Sequence, residues 1–228
     1  MSQQQLGISQ KPAWREWLES LIVIALIAVV VRSFIVAPFK IPSSSMVPTL
    51  EVGDYLFVLR YSYGLRLPFT NIQWRARPPQ RGDVAVFDYP KDRSKDYIKR
   101  IVGLPGDTVL YKENKLYING KKMKLTDVGE RPYFLGDGTV DVSEKYIEQL
   151  GSVKHAVLRK SFSIKDGEWK VPKGMFFAMG DNRNNSMDSR FWGFVPQSYL
   201  VGKAVILWWS WDEHNQTPRW KRIGQLIE

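Results

Sequence analysis

Hydrophobic positions along the chain follow two regimes that change near residue 50. Before it lies one uninterrupted apolar run, Leu21 to Val31, led by Trp17-Leu18-Glu19-Ser20 and followed by Arg32. A spanning helix needs about 20 residues. The run reaches that length only when extended through Arg32 to Pro38, with Arg32 snorkelling toward an interface. The pattern predicts a polar tail over 1–17 and an uncleaved transmembrane anchor over 18–38, ended by Pro38, with Trp14 and Trp17 in an interfacial belt. A cleaved leader would need small residues after its apolar stretch, and Ile35-Val36-Ala37-Pro38-Phe39 is a poor match. A buried core helix would have to be apolar on every face. Lys11 and Arg15 before the span and Arg32 and Lys40 at or after its end nearly balance, so flanking charge leaves the orientation open.

Past residue 50 the pattern alternates. Tyr55–Val58, Asp83–Phe87, Thr108–Tyr111 and Lys115–Ile118 are short, rich in β-branched and aromatic residues, and bounded by Gly53-Asp54, Gly82-Asp83, Gly106-Asp107 and Asn119-Gly120. Asn119-Gly120 is a hairpin signal. Met175–Met179 and Gly202–Trp209 are further strand candidates, and Ser143–Gly151 reads as one short helix. These elements predict a mainly β domain over 39–228 with a loop-rich region near 121–172 that has the look of an insert.

Composition removes several chemistries. There is no cysteine, so thiol catalysis, disulfides and thiolate metal sites are excluded together. His155 and His214 are the two histidines, and neither sits in a ligand or triad pattern. A net charge of +10 invites a nucleic-acid reading, yet the bases are interleaved with acids, as in Lys91-Asp92-Arg93-Ser94-Lys95-Asp96. A solvated surface, or attraction to anionic lipid, accounts for the charge. The 9 Trp fit either a core or a membrane interface.

Three segments carry chemistry. The first, Ile41-Pro42-Ser43-Ser44-Ser45-Met46-Val47-Pro48-Thr49-Leu50, follows the anchor directly, its path fixed by prolines on both sides. Alone it could be a serine-rich linker. The second is Tyr97-Ile98-Lys99-Arg100-Ile101-Val102-Gly103-Leu104-Pro105-Gly106-Asp107. Alternation puts Lys99 and Ile101 on one face, and a lysine turned to a core is pushed toward its neutral form. The bland alternative is an edge lysine in water. The third is Gly180-Asp181-Asn182-Arg183-Asn184-Asn185-Ser186-Met187-Asp188-Ser189-Arg190-Phe191-Trp192-Gly193. Its density of hydrogen-bonding side chains predicts a cross-linked loop in which Asp188 and Arg190 pair.

Together, in this order and spacing and behind an N-terminal anchor, the three segments resemble the type I signal peptidases over roughly residues 17–225. The resemblance implies an antiparallel β catalytic domain with a smaller β-rich region inserted at approximately 110–173. It implies Ser45 as nucleophile, Lys99 as general base, and an oxyanion hole from the Ser43 hydroxyl and the Ser45 amide. Ser186 would orient the lysine amine, and Asp188, Arg190, Asp181 and Arg100 would support the site structurally. From the residues alone the nucleophile stays ambiguous among three adjacent serines. Asn184 departs from the aspartate many relatives carry, which puts one loop contact in doubt.

The implied reaction is removal of signal peptides from exported preproteins, cutting after small residues, with no metal, cofactor or nucleic acid. Its place would be the plasma membrane, with the catalytic domain on the extracytoplasmic side. Enzymes with Ser-x-x-Lys on one helical turn are excluded, since no Ser-x-x-Lys occurs. A membrane-tethered binding module without catalysis is the alternative of another class.

Overall fold

The computed structural model describes residues 12–66, 73–74, 77–134 and 140–228. Most of the expected tail lies outside these residues. Helix α1 spans Ala13–Phe34, so it begins inside the segment read as tail and stops four residues short of Pro38. Pro38 instead lies in strand β1, Val36–Lys40, opposite Phe57. β1 ends its sheet, and an edge strand tolerates a residue without an N–H donor. Among the described residues no helix is long and apolar enough to cross a membrane.

The remaining strands are β2 (Asp54–Leu59), β3 (Leu65–Arg66), β4 (Gln73–Trp74), β5 (Val84–Tyr89), β6 (Asp92–Gly103), β7 (Thr108–Lys112), β8 (Lys115–Ile118), β9 (Lys121–Lys122), β10 (Lys124–Phe134), β11 (Val140–Leu150), β12 (Val153–Arg159), β13 (Gly167–Lys170), β14 (Met175–Met179), β15 (Val195–Pro196), β16 (Leu200–Asp212) and β17 (Thr217–Pro218). The central sheet runs β1-β2-β16-β5-β6-β14-β15, with β17 paired to β16, and its pairings are antiparallel. The mainly β expectation holds.

Both faces of the central sheet are covered. Val84 and Val86 of β5 pack with Ile41, Met46, Leu50 and Leu56 on one face. Ala85 and Phe87 pack with Ile101, Phe176 and Trp192 on the other. Burial on both sides explains why Val84-Ala85-Val86-Phe87 reads as a continuous apolar run. Met46 therefore ties the serine segment into the core, one residue beyond Ser45.

Between β6 and β14 the chain leaves this sheet and builds two smaller ones, β13-β7-β8-β9 and β10-β11-β12. Val109, Leu116, Leu150, Phe177 and Met179 form the apolar cluster joining them to the central sheet. Asn119 and Gly120 take positive φ, 52° and 77°, at the β8–β9 turn, the backbone an Asn-Gly hairpin requires.

Two expectations fail here. The region near 121–172 is not loop-rich but carries long strands. Ser143–Gly151 is not a helix; Ser143–Leu150 belongs to β11, flanked along most of its length by β10 and β12, and Gly151 lies in the turn that follows. Glu, Lys, Gln and Leu favour helix weakly, and pairing on both edges overrides that preference. Among 143–150, Ser143, Glu148 and Leu150 are buried, a set that no single helical stripe produces.

Candidate active site

Ser45 sits in a one-turn 3₁₀ helix, Ser44–Met46, entered through extended Ser43. Met46 and Val47 are fully buried, so the turn cannot swing outward. The third segment clamps it from across the groove. The Asn182 amide donates to the Ser45 carbonyl at 3.1 Å, Asn182 Nδ2 to the Ser44 carbonyl at 3.3 Å and Asn185 Nδ2 to Ser44 Oγ at 3.0 Å.

Lys99 lies within β6 opposite Ala85 and is 4% exposed. Its Nζ donates to Ser45 Oγ at 2.6 Å and to the Ile98 carbonyl at 2.9 Å. Of the three consecutive serines, Ser45 is the one the amine reaches, while Ser44 Oγ is occupied by Asn185. Ser43 Oγ lies 3.4 Å from Ser45 Oγ. Burial lowers Lys99 from its ordinary 10.5 to about 8, and the fields of Asp188 and Asp181 resist that fall. The Tyr97 ring lies 5.5 Å from the amine. A groove of about 360 Å³ lined by Pro42, Ser43, Ser45, Tyr97, Lys99 and Met187 opens over the pair.

Beneath the groove the charged residues are paired. Arg190 grips Asp188 with Nε and Nη2, both at 2.8 Å, and Asp188 accepts from the Gly180 amide. Arg100 meets Asp181 with Nε at 2.9 Å and Nη2 at 2.7 Å, and its Nη1 donates to the Gly82 and Glu228 carbonyl oxygens. Thr49 Oγ1 donates to the second Asp181 oxygen. Asn184 accepts from the Lys160 amide and donates to the Phe162 carbonyl, so it fixes the neighbouring loop.

Ser186 departs from its expected part. Its Oγ is buried with no hydrogen-bond partner, and no bond joins it to Lys99. It stands against Gly180, where an added Cβ would collide with Ser186 and the Ser45 carbonyl oxygen.

Sequence reasoning missed Glu148, His155 and Arg183. Arg183 forms a bidentate pair with Glu148, 2.9 and 2.5 Å, and all three are buried. Reading 143–151 as a strand would have put Glu148 on the face of buried Leu150. Among the described residues no group of three or more His, Asp or Glu side chains is arranged to hold a metal ion.

The arrangement provides a hydroxyl in contact with a buried amine of lowered basicity, facing an open groove. The family model described as "Signal peptidase, peptidase S26" matches residues 14–209. A signal peptidase I of Pseudomonas fluorescens is 44% identical, covering 96% of this chain and 81% of that protein. That of Pseudomonas aeruginosa is 42% identical with the same coverage. The Buchnera aphidicola enzyme from Acyrthosiphon pisum is 39% identical, over 92% of this chain and 80% of its own. With most of its length matched in this way, the chain belongs to the signal peptidase family, peptidase S26.

Proposed function

We propose that the chain is a membrane-anchored serine endopeptidase that removes signal peptides from exported preproteins by a Ser45/Lys99 dyad. The 2.6 Å contact between a buried lysine amine and a serine hydroxyl carries this reading. An ordinary lysine is neutral in only about one molecule in 10³ at neutral pH. With its value at about 8, Lys99 is neutral in roughly half of the molecules at mildly alkaline pH, where a general base works best.

Once the amine is neutral, Ser45 O–H donates to Nζ and loses its proton as Oγ bonds to the scissile carbonyl carbon. The negative charge passes to the carbonyl oxygen, held by the Ser43 hydroxyl and the Ser45 amide. Losing one such donor costs on the order of 10²–10³ in rate. Collapse breaks the C–N bond, and the Lys99 ammonium protonates the departing amine. Water then attacks the acyl-enzyme, with Lys99 again taking the proton.

The groove supports an extended substrate. β14 pairs with β6 from Arg100 onward, so Asp96–Ile98 has β5 on one side and the groove on the other. A peptide laid there adds a strand, and shallow pockets read its alternate side chains as small residues.

α1 supports the anchor. At 1.5 Å per residue its 22 residues run about 33 Å. Leu21, Ile22, Val23, Ile24, Leu26, Ile27 and Val29 are all exposed. Apolar side chains on every face call for lipid. Trp208 and Trp220 add an exposed aromatic surface on the body, with Trp208 stacked on Phe57. The body then lies on the extracytoplasmic side, where exported chains emerge.

Ser45→Ala and Lys99→Ala are each expected to abolish cleavage of a preprotein in detergent while circular dichroism stays native. Substantial cleavage by either folded variant would remove the dyad.

A further inference from the structure

β6 has an open edge that ends abruptly. On one side β5 pairs with it from Asp92 to Arg100. On the other side β14 pairs with it only from Arg100 to Gly103. β14 runs antiparallel to β6, so the chain leaves β14 at Met179, opposite Arg100, and turns away as the loop 180–188. A substrate strand laid along Asp96–Ile98 therefore has room at the β6 edge as far as Lys99 and no further. The residues before the cut take that edge. Those after it must leave the sheet, and the loop stands where they depart.

That loop presents one large apolar side chain to the groove. Asn185 and Met187 line the groove opposite the ends of the serine segment and β6. Ser186 and Asp188, on either side of Met187, are buried, whereas Met187 is 55% exposed. Its backbone is fixed. Trp192 Nε1 donates to the Met187 carbonyl at 3.2 Å, and the Trp192 ring packs against Phe87 and Tyr89. Asp188 is held by Arg190 and by the Gly180 amide. A methionine held out in water between buried neighbours adds little to the core, and it gains only when apolar surface covers it. The leaving group points to the same end of the groove. Lys99 Nζ, 2.6 Å from Ser45 Oγ, gives its proton to the departing nitrogen, and that nitrogen belongs to the first residue after the cut.

We propose that Met187 is a specificity-determining residue that reads the first residue after the cut and favours an apolar side chain there. An unbranched, polarizable thioether moulds itself to side chains of different shape. An open groove covers only part of a side chain, so the selectivity is modest, about 5–10-fold in kcat/KM for leucine over aspartate. The proposal rests on the Ser45/Lys99 reading and on a peptide lying along β6. Small residues before the cut are read along Asp96–Ile98, away from Met187.

The test uses preproteins identical except at the first residue after the cut, which is leucine or aspartate, cleaved in detergent by the wild type, Met187→Ala and Met187→Lys. The wild type is expected to prefer leucine by about 5–10-fold. Met187→Ala is expected to bring the two substrates within about twofold of each other, and Met187→Lys to reverse their order. A ratio between two substrates does not change when part of the enzyme is inactive, so a general loss of structure cannot imitate this result. In a second set, varied at the residue before the cut, all three proteins are expected to keep the same preference for small side chains. A leucine-to-aspartate ratio shared by all three overturns the proposal, and so does a Met187→Lys effect that falls on the residue before the cut. Cleavage surviving in Ser45→Ala or Lys99→Ala sinks the dyad reading instead. If those variants are dead and the ratios stay put, only the present inference is wrong.

Discussion

Lys99 is placed where an ammonium is least welcome, and that has a thermodynamic consequence apart from catalysis. Its value of about 8 in the folded chain lies below the ordinary 10.5, and at 1.36 kcal/mol per pH unit the gap amounts to about 3 kcal/mol. Below pH 8 both states hold the proton, and the folded state bears the whole penalty of burying the charge. Between about 8 and 10.5 the folded chain releases the proton first, so stability rises with pH. Lys99→Met, close in volume and uncharged, is therefore expected to melt several degrees higher at pH 7, with the gain shrinking through that alkaline window. Equal melting temperatures at pH 7 would contradict the burial penalty. Activity has the same origin: kcat/KM is expected to rise with pH through a midpoint near 8, and a flat profile from pH 6 to 9 would exclude this base. At this scale the sequence was informative where spacing carried meaning. Ser45 and Lys99 lie in long ordered motifs, and alternation already turned the lysine inward. His155 was illegible because its partners, Glu148 and Asp181, lie in other elements, and no local pattern joins them.

Elements were legible in proportion to how local their causes are. Asn119-Gly120 announces its turn because two adjacent residues must take positive φ. β11 was misread because its strand state comes from β10 and β12 on either side, not from Glu144, Lys145 or Gln149 themselves. The price of that misreading was Glu148, whose carboxylate is buried against Arg183. Removing one partner of a buried ion pair leaves the other charge uncompensated, a loss of about 3–5 kcal/mol. Arg183→Ala is thus expected to lower the melting temperature by roughly 10 °C, and a thermal melt within 2–3 °C (about 1 kcal/mol) of wild type would contradict the pairing. α1 shows the reverse case: its apolar run was plain in the sequence, but its end was not. The helix stops at Phe34 because β2 recruits Val36–Lys40 as an edge strand, a tertiary cause that Pro38 only tolerates.

For the whole molecule, alternation marked β2, β5, β7, β8, β14 and β16 but not their order. β2 pairs with β16, and β16 with β5, contacts whose sequence separation leaves no local trace. The exposure of α1 along its described length predicts that the body folds without it. Deleting residues 1–34 is expected to keep the cooperative melt within a few degrees and preserve cleavage in detergent, while membrane association weakens. An unfolded truncation would show that α1 supports the core. The same architecture scatters the site along the chain. The proposed nucleophile is residue 45, the proposed base residue 99, and the amide that clamps the Ser45 carbonyl belongs to residue 182. During synthesis a ribosome delivers the hydroxyl long before the groups that arouse it exist. Under the proposed dyad, a nascent chain lacks the clamp on Ser45 until residue 182 has been added, and cleavage is expected only after that segment has folded against the serine turn.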